Sequence, residues 1–395
     1  SLFFSYSFCD NLISKGRRAV NKGLVSIFIL TIVLAVFGCG GKEAMIWMQS
    51  SENDIHHEVS DAFRDVNANA RLFAVYEYIE PTDIGPDQVK WVGINAKRPK
   101  ERPLRVGFSQ MEVNNDWRIY ENNSIFQEAE DLGIDIIYRD AESSIEKQSQ
   151  DILDLINEEV DYLIVAPRQY FGLEEAFDAA REAEIPIILI DRTANGEAGK
   201  DYVTCIMGDF IDVGRRAALL LAEQFPDEKI CVFEVSGTMG SSTSSYLSEG
   251  FRSVAEPLGW EIISVDGDFD RAGSIEPIQE VLISDRDKID AVFTHIDDSA
   301  IAAIQAMRSV GLTPGSQIEA GEIPIVSMGG YKDAMKAILS GEMLATIECS
   351  PRFGPIVFHF IQRLEESERI RSRIVMPGKT YDITNVQKYI ITEGY

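Results

Sequence analysis

The chain has 395 residues, 45% of them hydrophobic, enough for two domains of ordinary size, each with its own core. Its formal charge is −27, from 64 acidic against 37 basic residues. A surface so acidic repels phosphate backbones, which argues against nucleic acid as a partner.

The first 41 residues differ in composition from everything after them. Lys15, Arg17, Arg18 and Lys22 form a basic region, residues 23–37 are a nearly uncharged apolar run, and Gly38-Cys39-Gly40-Gly41 follow. Basic flank, short apolar core and small residues read as a secretory signal over 1–38. A run of about 15 residues is short for a membrane span, which needs about 20. Cys39 resembles the cysteine of a bacterial lipobox, whose thiol is acylated and becomes the new amino terminus. Val36 and Gly38 fit that pattern, and Phe37 departs from the smaller residue usual there. An uncleaved amino-terminal anchor is the alternative. Either way the body is expected outside the cytoplasm, tethered through residues 39–103 as anchor spacer and extra segment.

Within that segment Ile55, Val59, Phe63 and Val66 recur at helical spacing, predicting an amphipathic helix over about 44–68 and a strand over 72–79. His56-His57-Glu58 lacks the HExxH spacing of a zinc protease. The run 96–103, charged and holding two prolines, reads as a linker.

From residue 104 a βα alternation runs almost unbroken. Apolar strands are expected at 104–108, 135–138, 162–166, 186–190, 203–207, 230–235, 260–265, 289–294, 324–328 and 344–347. Helical patterns separate most of them, at 144–160, 173–183, 213–225, 245–258, 298–310, 332–339 and 354–366. Strands joined through single helices build parallel, doubly wound sheets by right-handed crossovers. About ten strands are too many for one compact lobe, so two sheets side by side is the natural division. The stretch 185–209 would supply both a ligand contact, Asp191-Arg192, and a hinge.

Several strand ends carry groups that bind rather than pack: Ser109-Gln110 with Asn114 to Arg118, Pro167-Arg168, Asp191-Arg192, Phe269-Asp270-Arg271, and Asp297-Asp298. In open α/β sheets ligands sit at the carboxyl ends of strands. Acids, amides and guanidinium groups suit vicinal hydroxyls, and the Trp117 indole suits the apolar face of a sugar ring. Asp297 could instead cap a helix, and Trp117 could be ordinary core. Cys205, Cys231 and Cys349 each lie in an apolar run, with no CxxC. Buried free thiols are the default, and Cys205 with Cys349 is the pair expected if a disulfide forms.

The order of these residues resembles the type I periplasmic binding proteins for sugars, in the ribose-binding-like branch, and is similar to galactofuranose-binding components of ABC importers. The resemblance covers about 104–395. It rests on VGFSQ at 106–110 with WR at 117–118, VAP at 165–167, LIDR at 189–192 and GT within SGTMG at 236–240. EGF at 249–251, GDFDR at 267–271, THIDD at 294–298 and ECSP at 348–351 complete it. It implies two lobes joined by a three-crossing hinge, lobe one being 104–207 plus 350–370 and lobe two 208–349 plus 371–395. It implies ligand contacts at Trp117, Arg118, Asp191 and Arg192 facing Phe269, Arg271 and Asp297, and the strand-end residues Gln110 and Arg168 complete the expected ligand set. Ile296 stands where the family usually has Asn, and the 242–248 stretch lacks a basic residue that some members place near the sugar. The implied activity is binding without catalysis, with no cofactor and no metal, by a monomer that delivers a monosaccharide to an ABC permease. A tethered sensor presenting the sugar to a receptor or histidine kinase is the alternative. A repressor is disfavoured by the leader and the acidity, and an enzyme by the lack of GxSxG, GxxxxGKS and GxGxxG patterns.

Overall fold

The computed structural model describes residues 90–94 and 102–395. The leader, Cys39 and the helix and strand expected over 44–79 lie outside the described residues. The first half carries β1 (Trp91–Val92), β2 (Arg105–Gln110), α1 (Asp116–Leu132), β3 (Asp135–Asp140), α2 (Ile145–Asn157), β4 (Tyr162–Val165), α3 (Glu174–Glu182), β5 (Ile187–Ile190) and β6 (Thr204–Gly208). The second half carries α4 (Phe210–Gln224), β7 (Cys231–Ser236), α5 (Ser242–Leu258), β8 (Glu261–Asp266), α6 (Arg271–Ser284), β9 (Ala291–Thr294), α7 (Asp297–Ser309), β10 (Ile325–Gly329), α8 (Lys332–Leu339) and β11 (Ala345–Glu348). The chain then returns through α9 (Gly354–Glu365), β12 (Ile370–Arg371), β13 (Arg373–Met376), β14 (Thr380–Asp382) and α10 (Val386–Tyr389).

Two six-stranded sheets result, ordered β13-β6-β5-β4-β2-β3 and β14-β11-β10-β9-β7-β8. Within them only β14 against β11 is antiparallel. The central strands explain why: YLIV of β4 and IILI of β5 are buried at every position, as strands covered by helices on both faces must be. Each sheet steps from its first strand outward to an edge strand and then back to that first strand's other side. The reversal opens a crevice at the carboxyl ends, so β2 and β4 face β7 and β9 across a shared cleft.

Local chemistry sets the helix ends. The Asn115 side chain accepts from the Arg118 N–H, and Gly133 at φ 67° closes the far end of α1. That cap starts a helix at Asp116, so Trp117 and Arg118 ride its first turn rather than a loop. Packing of α4 on α5 depends on Gly250, where an added Cβ would sit 2.0 Å from the Ile211 carbonyl oxygen. The EGF motif therefore marks a close helix approach.

The lobes join at three crossings: β6 into α4 near Gly208, β11 into α9 near Cys349, and β13 into β14 near Gly378. Between them lies a cavity of about 300 Å³. Because β13 pairs with β6, the last crossing follows Met376 and does not fall at 371. Strands β12, β13 and β14, two to four residues each, are too short for an apolar pattern to announce. β1 pairs antiparallel with β12. Beside it the Lys90 N–H donates to Ser372 Oγ at 3.0 Å and the Ser372 N–H to the Lys90 carbonyl at 2.8 Å.

Cys205, Cys231 and Cys349 are buried free thiols, so the Cys205–Cys349 disulfide does not form. Cys205 Sγ lies instead against the Arg192 carbonyl at 3.5 Å and Met207 Sδ at 3.7 Å, and burial pushes its pKa up to about 12.

Candidate functional site

Lobe one sends Glu112, Asn115, Trp117, Arg118, Asp191 and Arg192 into the cleft. Lobe two sends Thr243, Phe269, Ile296, Met328 and Gly329, and Cys349 joins from a crossing. They enclose about 30 Å³, far below the roughly 300–1,000 Å³ of a small-molecule site. The lobes therefore stand closed, and a ring-sized ligand requires them to part. A larger concavity of about 640 Å³ lies among Arg102, Asp161 and Lys200, at the opposite ends of the lobe-one strands. It has none of the convergent strand-end chemistry.

Asp191 organises the polar half. Its Oδ2 accepts from Arg118 Nη2 at 2.6 Å and lies 3.3 Å from Arg192 Nε. Burial alone would lower the Arg118 pKa, but the facing Asp191 and Glu121 carboxylates outweigh it and hold the guanidinium charged. Arg192 has the opposite balance: burial, then the Arg118 charge, brings it down to about 10. Its Nη1 donates to the Arg168 carbonyl at 2.9 Å, and its guanidinium carbon stands 5.1 Å from the Phe269 ring centre. Burial raises the pKa of Glu121 behind them, opposed by Arg118.

The backbone is strained where the two halves meet. Asp191 has φ 62°, Asp268 φ 48° and Phe269 φ 53°, a left-handed region costing about 1–2 kcal/mol per non-glycine residue. Such strain gathers at functional sites. Phe269 also needs Gly237 opposite it, where a Cβ would lie 2.0 Å from the ring. Closure is held by the Asn115 Nδ2–Phe269 carbonyl bond at 3.3 Å and by Ser242 Oγ, which donates to the Thr193 carbonyl at 3.2 Å. Arg168 pairs with Glu112 and reaches Asp268 of the other lobe at 3.7 Å.

Of the residues expected from sequence, Trp117, Arg118, Asp191, Arg192 and Phe269 come together on the cavity, and Arg168 stands behind through Glu112. Trp117 also holds the hinge, its Nε1–H donating to the Cys349 carbonyl at 2.6 Å. Three others are placed elsewhere. Gln110 is buried, donating to Glu121 at 2.9 Å and Asn122 at 2.7 Å. Arg271 pairs with Asp298 at 2.7 Å. Asp297 is spent on the N–H groups of Gly330 and Tyr331, at 2.7 and 2.8 Å, and on the Thr346 hydroxyl at 2.6 Å. It is neither the α7 cap, which is Ile296, nor on the cavity wall. Glu112, Thr243 and Met328 were not expected, and Ile296 lines the cavity at the position where the family usually has Asn. Glu112 follows β2 by two residues and Thr243 opens a helix, so position relative to a strand end was the available signal. Among the described residues no cluster of His, Cys, Asp and Glu is suited to a metal ion, and no helix is long and apolar enough to cross a membrane.

Residues 106–352 match the family described as the periplasmic binding protein domain. The galactofuranose-binding protein of Escherichia coli K12 is 29% identical over 72% of this chain and 90% of its own length. The crystal structure of a galactofuranose binding protein superposes with TM-score 0.70 at 28% identity, covering 74% of this chain and 98% of that one. The binding component of the arabinose ABC transporter of Shewanella sp. ANA-3, bound to L-arabinofuranose, gives TM-score 0.68 at 28% identity over 73% and 94% of the two chains.

Proposed function

The chain belongs to the periplasmic binding protein family, and from that membership and its cleft we propose that it is the extracytoplasmic solute-binding component of an ABC importer. It closes on a monosaccharide, a pentose or hexose with the furanose form favoured, and delivers it to a membrane permease. The observation that carries the reading is the common cavity. Residues from strand ends of both lobes converge on one gap, with an indole, a phenyl ring and an Arg118–Asp191–Arg192 cluster around it. The furanose preference is supported by the two related proteins whose names carry furanose sugars.

Function follows from differential affinity. A sugar that touches both lobes favours the closed arrangement over any open one, and the closed surface is what a permease would read. The Arg118–Asp191–Arg192 cluster offers charge-assisted hydrogen bonds to ring hydroxyls. No side chain is asked to act as nucleophile, and no cofactor enters. The protein works as a monomer, tethered by a lipid on Cys39. A thermal-shift screen of pentoses and hexoses tests the proposal, because a ligand of the folded state raises the melting temperature by mass action. A panel in which no sugar raises it at concentrations well above a plausible Kd would overturn it.

A further inference from the structure

The two walls of the cavity differ in kind. Lobe one contributes carboxylates, an amide and guanidinium groups beside the Trp117 indole, whereas lobe two contributes Phe269, Ile296, Met328, the Gly329 backbone and one hydroxyl, that of Thr243. Polar groups nearby in lobe two are already committed, Arg271 to Asp298 and Asp297 to the β10–α8 turn.

Three features show that this apolar wall costs the fold something. Ile296 occupies the amino-terminal cap of α7 and makes no side-chain cap bond, where Asn, Asp or Ser would stabilise by about 1 kcal/mol. Phe269 is held in a left-handed conformation. Thr243 is 2% exposed, and its Oγ1 has no hydrogen-bond partner, which is unusual for a buried hydroxyl. A residue that breaks a local rule is a candidate for a functional role.

Resting on the sugar-binding reading above, we infer that the ligand is a deoxygenated monosaccharide. Its methyl-bearing or hydroxyl-free edge lies against Ile296 and Met328, and a single hydroxyl on that side bonds to Thr243. A fully hydroxylated sugar would bury one hydroxyl against Ile296 and Met328 without a partner. An apolar pocket rejects an added hydroxyl by about 10- to 100-fold.

The test titrates matched pairs by calorimetry: D-fucose with D-galactose, L-rhamnose with L-mannose, and 2-deoxy-D-ribose with D-ribose. The deoxy member of at least one pair is expected to bind about 10- to 100-fold tighter than its parent. I296N should narrow or reverse that ratio, and it should fold well because Asn is a favoured cap. T243V should weaken both members of the pair, since the apolar isostere removes only the hydroxyl. If the parents bind as tightly as the deoxy sugars, or if I296N leaves the ratio unchanged, the deoxy assignment is overturned while sugar binding stands. If no member of any pair binds and no other sugar does in the screen above, both readings fall.

Discussion

Asp191→Asn tests the centre of the site. Asn tolerates the left-handed backbone at this position about as well as Asp, so the substitution removes the charge and keeps the shape. Arg118 keeps Glu121 as a partner at 2.8 Å, whereas Arg192 loses its 3.3 Å carboxylate and keeps the Arg168 carbonyl. Breaking a buried ion pair by removing one partner costs about 3–5 kcal/mol. The amide oxygen still accepts one bond, which places the expected loss near the lower end, about 3 kcal/mol. At about 2–4 °C per kcal/mol for chains of this size, the melting temperature should fall by roughly 6–12 °C. Sugar affinity should fall as well, because one acceptor of charge-assisted bonds becomes neutral, a change of about 1.5–3 kcal/mol. Urea melts with calorimetric titration of the best sugar from the screen measure both. An unchanged denaturation midpoint together with unchanged affinity would refute the assignment of Asp191 as the organiser of the cleft.

Gly237→Ala should push the Phe269 ring aside and weaken sugar binding by about 10-fold or more, with a smaller effect on stability, since one wall of the cleft is displaced; titration against wild type checks it. Gly250→Ala should instead destabilise by about 2 kcal/mol or more by forcing α4 from α5, seen as a lower urea midpoint. Trp117→Phe removes the indole donor to the Cys349 carbonyl, leaving it the Tyr395 hydroxyl at 2.6 Å, whose one proton is shared with the Gly329 carbonyl. The loss should be only about 1 kcal/mol, and small-angle scattering of the sugar-free protein should show a larger radius of gyration. Burial raises the Glu234 pKa, but bonds from His295, Arg252 and Ser264 outweigh it and hold the carboxyl well below its ordinary value. A depressed carboxylate stabilises above the unfolded pKa of about 4.3 and loses that contribution as pH falls. Glu234→Gln should therefore flatten the stability profile below about pH 4.5, and an unaltered acid limb would count against it.

The sheet strands of the two lobes were legible because continuous apolar runs such as IILI can be nothing but buried strands once βα alternation surrounds them. The amino-terminal cleft residues were legible for a related reason, since Asp191-Arg192 directly ends such a run. Asp297 also ends a strand, yet its carboxylate is consumed by N–H groups about 33 residues along. That is a tertiary contact, with no local signature of the kind sequence patterns can carry. Gln110 was lost to the same cause, drawn inward by Glu121 and Asn122. Thr243 escaped notice because an ordinary hydroxyl acquires meaning only from a neighbour's absence, whereas Ile296 was marked in the sequence as a departure from the family's Asn and its missing cap shows only in the fold. The short strands β12 to β14 had too few residues to show a period.

The pairing of β1 with β12 has a mechanical consequence. It stitches the incoming chain to the lobe that carries Asp191 and Arg118, through a ladder that spans none of the three crossings. A pull on the amino-terminal side is borne by that lobe alone. The guanidinium-rich wall and the β1–β12 ladder thus move as one half of the molecule, and the aliphatic wall belongs to the other.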